Sequence, residues 1–290
     1  MKIAVPDIGL GCANLLQLTL PEFVDVAERA GFRRITARPY AFAHALGAGW
    51  TEAALQRRLA DAEIAVTMID ALTHALPGMR PVSDLDLRVR ERLPPDVLEP
   101  PDERTCFRAA TALGASIVNV THYMGRSLPV AVLADALGGV ARRAAPLGLR
   151  LSVEFFPDSG LPDLHVAQAV IDACGEANIG LLLDVFHLDR SGGTVDDVRR
   201  LPPGAIAGIQ LSDRRRPPQG TGHVPFGGRL VPGEGELPLH ELVEAALENS
   251  PEATLDIEVL DEELRNLSPD DAAARLAAAA RAWRAAFAVS

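Results

Sequence analysis

The sequence predicts an α/β fold of the (β/α)8 type, a TIM barrel, in a single domain over residues 1–290. Short runs rich in β-branched and aliphatic residues alternate with longer Ala/Leu/Arg stretches of helical period, which implies parallel strands joined by helical crossovers. Eight of each can be counted, the number at which such a sheet closes on itself. No linker divides the chain, and 290 residues with 48% hydrophobic content suit one large core.

The first strand is expected at Lys2–Val5, extending toward Leu10. A helix over Pro21–Ala30 follows, with Thr19 as N-cap, a proline and Glu22 in its first turn, and Gly31 as its stop. Strand two, Arg34–Ala37, leads to a helix over Glu52–Ala62. Strand three, Ala65–Ile69, precedes a proline-rich aperiodic segment, residues 77–101, read as a long loop or lid, and then a helix over Glu103–Leu113. Strands Ser116–Thr121, Arg150–Phe155 and Gly180–Val185 alternate with helices Val130–Ala145, Leu164–Ala177 and Val195–Leu201. Strands Ala205–Leu211 and Thr254–Val259 and helices Leu239–Glu248 and Pro269–Ala286 complete the set, the last opened by Ser268-Pro269-Asp270-Asp271. Gly9-Leu10-Gly11 is a bare G-x-G, short of a dinucleotide fingerprint.

Composition removes several chemistries. With 28 basic against 39 acidic residues the formal net charge is −11, a surface that repels phosphate backbones, so no nucleic-acid partner is expected. Lys2 is the one lysine, at the extreme N-terminus, which argues against a Schiff base, a pyridoxal phosphate attachment or a P-loop. Cys12, Cys106 and Cys174 form no C-x-x-C, so neither a disulfide framework nor a thiolate zinc site is indicated. No apolar run approaches the ~20 residues that span a bilayer. The expectation is a soluble cytoplasmic protein without a membrane partner, with homo-oligomerisation left open.

A barrel of this kind carries its chemistry at the C-terminal ends of its strands. The last four strands each place a polar side chain there within an apolar run: Glu154, Asp184, Gln210 and Glu258. Buried carboxylates need a compensating cation. Two readings stay open: a divalent ion on these four residues, or pairing with barrel arginines. The all-oxygen set favours one Mn2+ or Mg2+ ahead of Co2+ or Zn2+. His187, three residues after Asp184, can turn into the mouth toward substrate. His74, Asn119 and His122, just beyond strands three and four, serve equally well as pocket lining or as packing. The loop after strand seven contains Arg214-Arg215-Arg216 and, further on, Arg229 and Pro232-Gly233-Glu234-Gly235-Glu236. Its arginines suit capture of a carboxylate, phosphate or hydroxyl-rich ligand, with at least one of the three consecutive ones a solvated turn residue.

At Val153-Glu154-Phe155, Asp184-x-x-His187, Ile209-Gln210-Leu211-Ser212-Asp213, Pro232–Glu236 and Ile257-Glu258-Val259 the chain resembles the sugar phosphate isomerase/epimerase superfamily of xylose isomerase-like TIM barrels. The resemblance covers nearly the whole chain. It implies one divalent metal on Glu154, Asp184, Gln210 and Glu258, with His187 and Arg216 contacting substrate oxygens. Ketose epimerases of the group usually have histidine at position 210. Glutamine there, with the Pro-Gly-Glu-Gly loop, is more similar to the 3-dehydroshikimate and inosose dehydratases.

The activities so implied share removal of a proton next to a carbonyl, with Glu154 and Glu258 as base and acid. The expected function is a divalent-metal-dependent isomerase or epimerase of a polyhydroxylated carbonyl compound, a sugar or sugar-like molecule, and the expected partner is a small polyol or keto-acid substrate. A dehydratase is the alternative, and a non-catalytic sugar-binding barrel the second.

Overall fold

In a computed structural model the chain is described at residues 3, 5–84, 98–122, 125–157, 159–215 and 227–287. Eight parallel strands close into a barrel in chain order: β1 (Gly9–Leu10), β2 (Arg34–Ala37), β3 (Ala65–Leu72), β4 (Ile117–Thr121), β5 (Arg150–Glu154), β6 (Ile179–Asp184), β7 (Ile206–Leu211) and β8 (Thr254–Ile257). Around it run α1 (Leu20–Ala30), α2 (Pro39–Gly47), α3 (Glu52–Asp61), α4 (Glu103–Leu113), α5 (Val130–Ala144), α6 (Leu164–Cys174), α7 (Val185–Arg190), α8 (Val195–Arg199), α9 (Leu239–Asn249), α10 (Glu262–Arg265) and α11 (Pro269–Phe287). Among the described residues no helix is long and apolar enough to cross a membrane.

The caps behave as their chemistry requires. Thr19 and Glu22 form a reciprocal capping box on α1, and Gly31 closes that helix at φ 86°. Asp102 and Asp163 accept from backbone amides at the starts of α4 and α6. Three elements were not expected from sequence: α2, which starts on Pro39 directly after β2, the short α7 directly after β6, and α10. The first strand is a correction. Lys2 and Ala4 lie outside the described residues, Ile3 and Val5 are not in a strand, and pairing occurs only at Gly9–Leu10. Pro6 has no N–H to give to a ladder, and the pairing of Gly9 with Asp256 fixes where β1 falls. Of the expected lid over 77–101, residues 85–97 lie outside the described residues, and Val82–Asp84 form a 3-10 turn.

Side chains alternate across each strand. Outward-facing Ile35, Ile69, Val118, Val120, Leu151, Val153, Leu181, Leu183, Ile209, Leu211, Leu255 and Ile257 join the large core beneath the helices. The lumen holds a separate and much smaller apolar cluster of Met68, Ile117 and Leu182. Where barrels of this class usually stack branched aliphatics, this one also buries Thr36, Asn119, Ser152, Glu154, Asp184, Gln210, Asp256 and Glu258. The site therefore grows out of a polar lumen.

Asp256 is the deepest of these acids. A Cβ at Gly9 would stand 2.1 Å from Asp256 Oδ1, so the glycine makes room for the carboxyl group. Its polar contact is weak, Thr67 Oγ1 at 3.4 Å, and its Oδ2 has no hydrogen-bond partner among the described residues. Burial, with the charge of Asp70 adding to it, pushes the Asp256 carboxyl up to about 7. The native state thus binds more protons than the unfolded chain between about pH 4 and 7. Stability falls as pH rises through that window, by up to ~4 kcal/mol from this group. In Asp256→Asn this part of the decline is expected to vanish in chelator-containing buffer. Denaturant unfolding at pH 4.5 and pH 8 checks it, and equal pH dependence in both proteins would contradict it.

Candidate active site

The C-terminal rim of the barrel gathers one polar side chain from each of β3 to β8. Glu154 and Asp184 are the last residues of β5 and β6, Gln210 sits one residue before the end of β7, and Glu258 follows β8. All four are buried, Asp184 completely. Asp184 has two duties. Its Oδ1 caps α7, accepting from the amides of Phe186 at 2.8 Å and His187 at 3.3 Å. That cap turns the chain so that His187 Nε2 lies 3.7 Å from Asp184 Oδ2 and 3.7 Å from Glu154 Oε1. The Asp184-x-x-His187 spacing is thus the first turn of a helix whose cap is also a site residue.

The loop after β7 is folded around Asp213. Its carboxylate accepts from the backbone amides of Arg214 at 2.8 Å and of Gly233, Gly235 and Leu237 at 3.0 Å each. Gly233 stands at φ 92°, and a Cβ at Gly235 would come within 2.2 Å of Asp213 Oδ1. The Ser-Asp and Pro-Gly-Glu-Gly motifs are therefore two halves of one turn. An antiparallel bridge between Asp213 and Leu230 then delivers the neighbouring Arg229 into the mouth.

Arg229 is buried. Its Nη2 lies 2.7 Å from Asp184 Oδ2, 3.6 Å from Glu258 Oε2 and 3.2 Å from His187 Nε2, and its guanidinium carbon is 4.6 Å above the ring centre of Phe186. Arg214 lies over the same ring at 5.4 Å and pairs with Asp189 at 3.4 Å. Arg215 is exposed, as one of the three was expected to be, and Arg216 lies outside the described residues.

Asn119 belongs to the site, since it donates to Glu154 Oε2 at 3.0 Å. His122 does not: its ring packs where a Cβ at Gly125 or Gly160 would clash, and its Nε2 donates to the Pro77 carbonyl at 2.8 Å. His74 is exposed at the rim. Sequence reasoning missed Asp70, which the structure places in β3, accepting from both Asn119 and Gln210. The available signal was the one that revealed Glu154 and Asp184, a carboxylate closing an apolar run.

Four acids share the mouth. Asp70, Glu154, Asp184 and Glu258 lie close together there, and Arg229 contacts Asp184 and Glu258. Burial first, then the charges of Asp70 and Asp184, push Glu154 up to about 8. Burial likewise raises Glu258 well above the usual carboxylate range, with Arg229 opposing and the other acids assisting. Burial also works to raise Asp184, but Arg229 and His187 outweigh it and hold that carboxyl low. The arginine pairing expected as one reading is present, from Arg229 to Asp184 and Glu258. These residues fit a divalent cation: Glu154, Asp184 and His187 each offer one ligand atom within 4.8 Å of the others, and Gln210 Oε1 is buried with no hydrogen-bond partner among the described residues.

Over 140 residues the chain is 26% identical to an inosose isomerase of Halalkalibacterium halodurans, a match covering 48% of this chain and 49% of the relative. The chain thus spans about half the length of the curated relatives it matches. Among solved structures it is similar to a xylose isomerase domain protein from Alicyclobacillus acidocaldarius, at 22% identity and TM-score 0.72, covering 97% of this chain and 99% of that one. It is also similar to the IolI protein with a bound zinc atom, at 16% identity and TM-score 0.77 with the same coverage. The family profile described as xylose isomerase-like TIM barrel matches residues 24–286. With its closed eight-stranded barrel and its acidic mouth, the chain belongs to the xylose isomerase-like TIM barrel family.

Proposed function

We propose that the protein is a divalent-metal-dependent isomerase or epimerase of a polyhydroxylated carbonyl compound, acting by proton abstraction next to the carbonyl. The observation that carries this reading is the convergence of Glu154, Asp184 and His187 ligand atoms within 4.8 Å in the barrel mouth. Glu154, Asp184 and Glu258, with Gln210 through the Oε1 that has no partner among the described residues, would hold the ion, and His187, the third member of the 4.8 Å group, would face the substrate oxygens beside it. The chemistry a divalent ion supplies there is polarisation of the carbonyl and stabilisation of the enediolate charge. A structural neighbour of the same fold binds zinc, and a curated relative is an inosose isomerase. Both suit a small hydroxyl-rich substrate.

The chain's own residues divide the remaining work. Glu154 ends β5 and Glu258 follows β8, so the two enter the mouth from strands that are not neighbours in the barrel. Glu154 takes the proton from the carbon beside the carbonyl, and Glu258 returns one, as a pair of positioned acid–base groups. His187 and Arg229 hold substrate oxygens, and burial of Arg229 under Phe186 keeps its donors aimed. Proton return to the opposite face gives epimerisation, and return to the adjacent carbon gives isomerisation. A dehydratase shares the first step and loses β-hydroxide afterwards; the glutamine at 210 and the Pro-Gly-Glu-Gly loop favour it as the second reading.

With an inosose or a ketohexose as probe in deuterated water at saturating Mn2+, deuterium is expected to enter the carbon next to the carbonyl. Glu154→Gln and Glu258→Gln should each slow this exchange by about 10²–10⁴. Exchange at the wild-type rate in both variants would defeat the two-glutamate assignment. A new enone absorbance would mark a dehydratase, and no turnover of any probe a binding barrel.

The arginine supplies a separate prediction. In metal-free Arg229→Leu the Asp184 carboxylate loses its buried partner, at a cost of about 3–5 kcal/mol. Saturating Mn2+ should therefore raise the unfolding temperature of the variant more than that of wild type. Equal shifts would show that guanidinium and ion do not answer the same charge.

A further inference from the structure

Asp70 lies on β3, outside the set supplied by the last four strands, yet two amides meet on it. Asn119 Nδ2 donates to Asp70 Oδ1 at 2.8 Å and to Glu154 Oε2 at 3.0 Å. Gln210 Nε2 donates to Asp70 Oδ2 at 3.2 Å and to Glu258 Oε1 at 3.1 Å. An amide nitrogen carries two hydrogens, so both amides are fully committed as donors. The result is one unbroken sequence of hydrogen bonds, Glu154–Asn119–Asp70–Gln210–Glu258, linking the two glutamates across the mouth.

We infer that Asp70 is a positioning residue that fixes Glu154 and Glu258 together by orienting Asn119 and Gln210. An ionised carboxylate only accepts, so Asp70 selects the NH2 end of each amide. For Asn119 the choice is reinforced by Ser152 Oγ, which donates to its Oδ1 at 3.3 Å. For Gln210, Glu258 is the other acceptor of its NH2 group, and its Oε1 is buried with no hydrogen-bond partner among the described residues. Without Asp70 the Gln210 amide has one acceptor and is free to rotate, and the oxygen through which it would meet an ion is lost to that role. This also accounts for an amide at position 210: with Asp70 beside it, the side chain is held as firmly as a ring would be.

The consequence for an ion rests on the function proposed above, whereas the hydrogen-bond arrangement does not, and two readouts separate them. The first is the side-chain amide signals of Asn119 and Gln210 in 1H–15N spectra of metal-free protein, assigned by their disappearance in Asn119→Ala and Gln210→Ala. In Asp70→Ala both pairs should move together, and in Asp70→Asn, which keeps the volume but offers a single acceptor oxygen, at least one should move. The second is calorimetric Mn2+ affinity, expected to fall about 10–100-fold in folded Asp70→Ala, the usual cost of losing a group that orients ligands. Unmoved amide signals in both variants overturn the inference, as does Mn2+ affinity within about twofold of a wild type that binds the ion. If wild type binds no Mn2+, the functional reading fails and the amide signals alone judge Asp70: joint movement supports it and immobility overturns it.

Discussion

Acidic groups buried together in the barrel mouth are the constraint on which the rest of this structure depends. Glu154, Asp184 and Glu258 leave water on folding, and the guanidinium of Arg229 answers Asp184 closely and Glu258 at longer range. The protein could have avoided the problem with a leucine-lined lumen. It instead keeps the apolar lumen to Met68, Ile117 and Leu182 and surrounds them with polar side chains. Such a lumen is costly for stability, since burial disfavours each charged form. The same arrangement leaves a mouth of crowded buried acids, in which burial raises Glu154 to about 8.

The scaffold spends much of its loop structure on holding that mouth in place. Asp213 gathers the backbone amides of Arg214, Gly233, Gly235 and Leu237, and its bridge to Leu230 sets Arg229 beside the mouth. Asn14 does comparable work on the other side, donating to the carbonyls of Gly11 and Ile257 and accepting from the amide of Val259, which frames Glu258. His122 ties the loops after β3, β4 and β5 at their base. Loops bearing functional groups are otherwise the least constrained parts of a barrel, and here buried polar anchors replace regular pairing.

The order of strands, the closure of the barrel and the positions of Glu154, Asp184, Gln210 and Glu258 could be read from sequence, because each of β5 to β8 is an apolar run with a polar residue at or next to its C-terminal end. What could not be read was set by partners distant in the chain. Local β-propensity points to a first strand at Lys2–Val5 extending toward Leu10, whereas pairing with β2 and β8 is seen at Gly9–Leu10 among the described residues. Strand three was ended at Ile69, one residue short of Asp70, whose importance lies in amides on β4 and β7. His122 was left open between pocket and packing, and only the glycines at 125 and 160 show which it is. Arg214 and Arg229 looked alike as loop arginines. The bridge at Leu230 separates them, sending Arg229 to the carboxylates and leaving Arg214 on Asp189.

On the proposed function these carboxylates are the seat of a divalent cation that competes with Arg229 for Asp184. Anomalous scattering from crystals grown with Mn2+ distinguishes the two occupants. One strong peak per chain is expected within bonding distance of Glu154, Asp184 and Glu258, with the Arg229 guanidinium drawn away from Asp184. A mouth without a peak, its guanidinium still on Asp184 while Mn2+ scatters elsewhere on the protein, would contradict it.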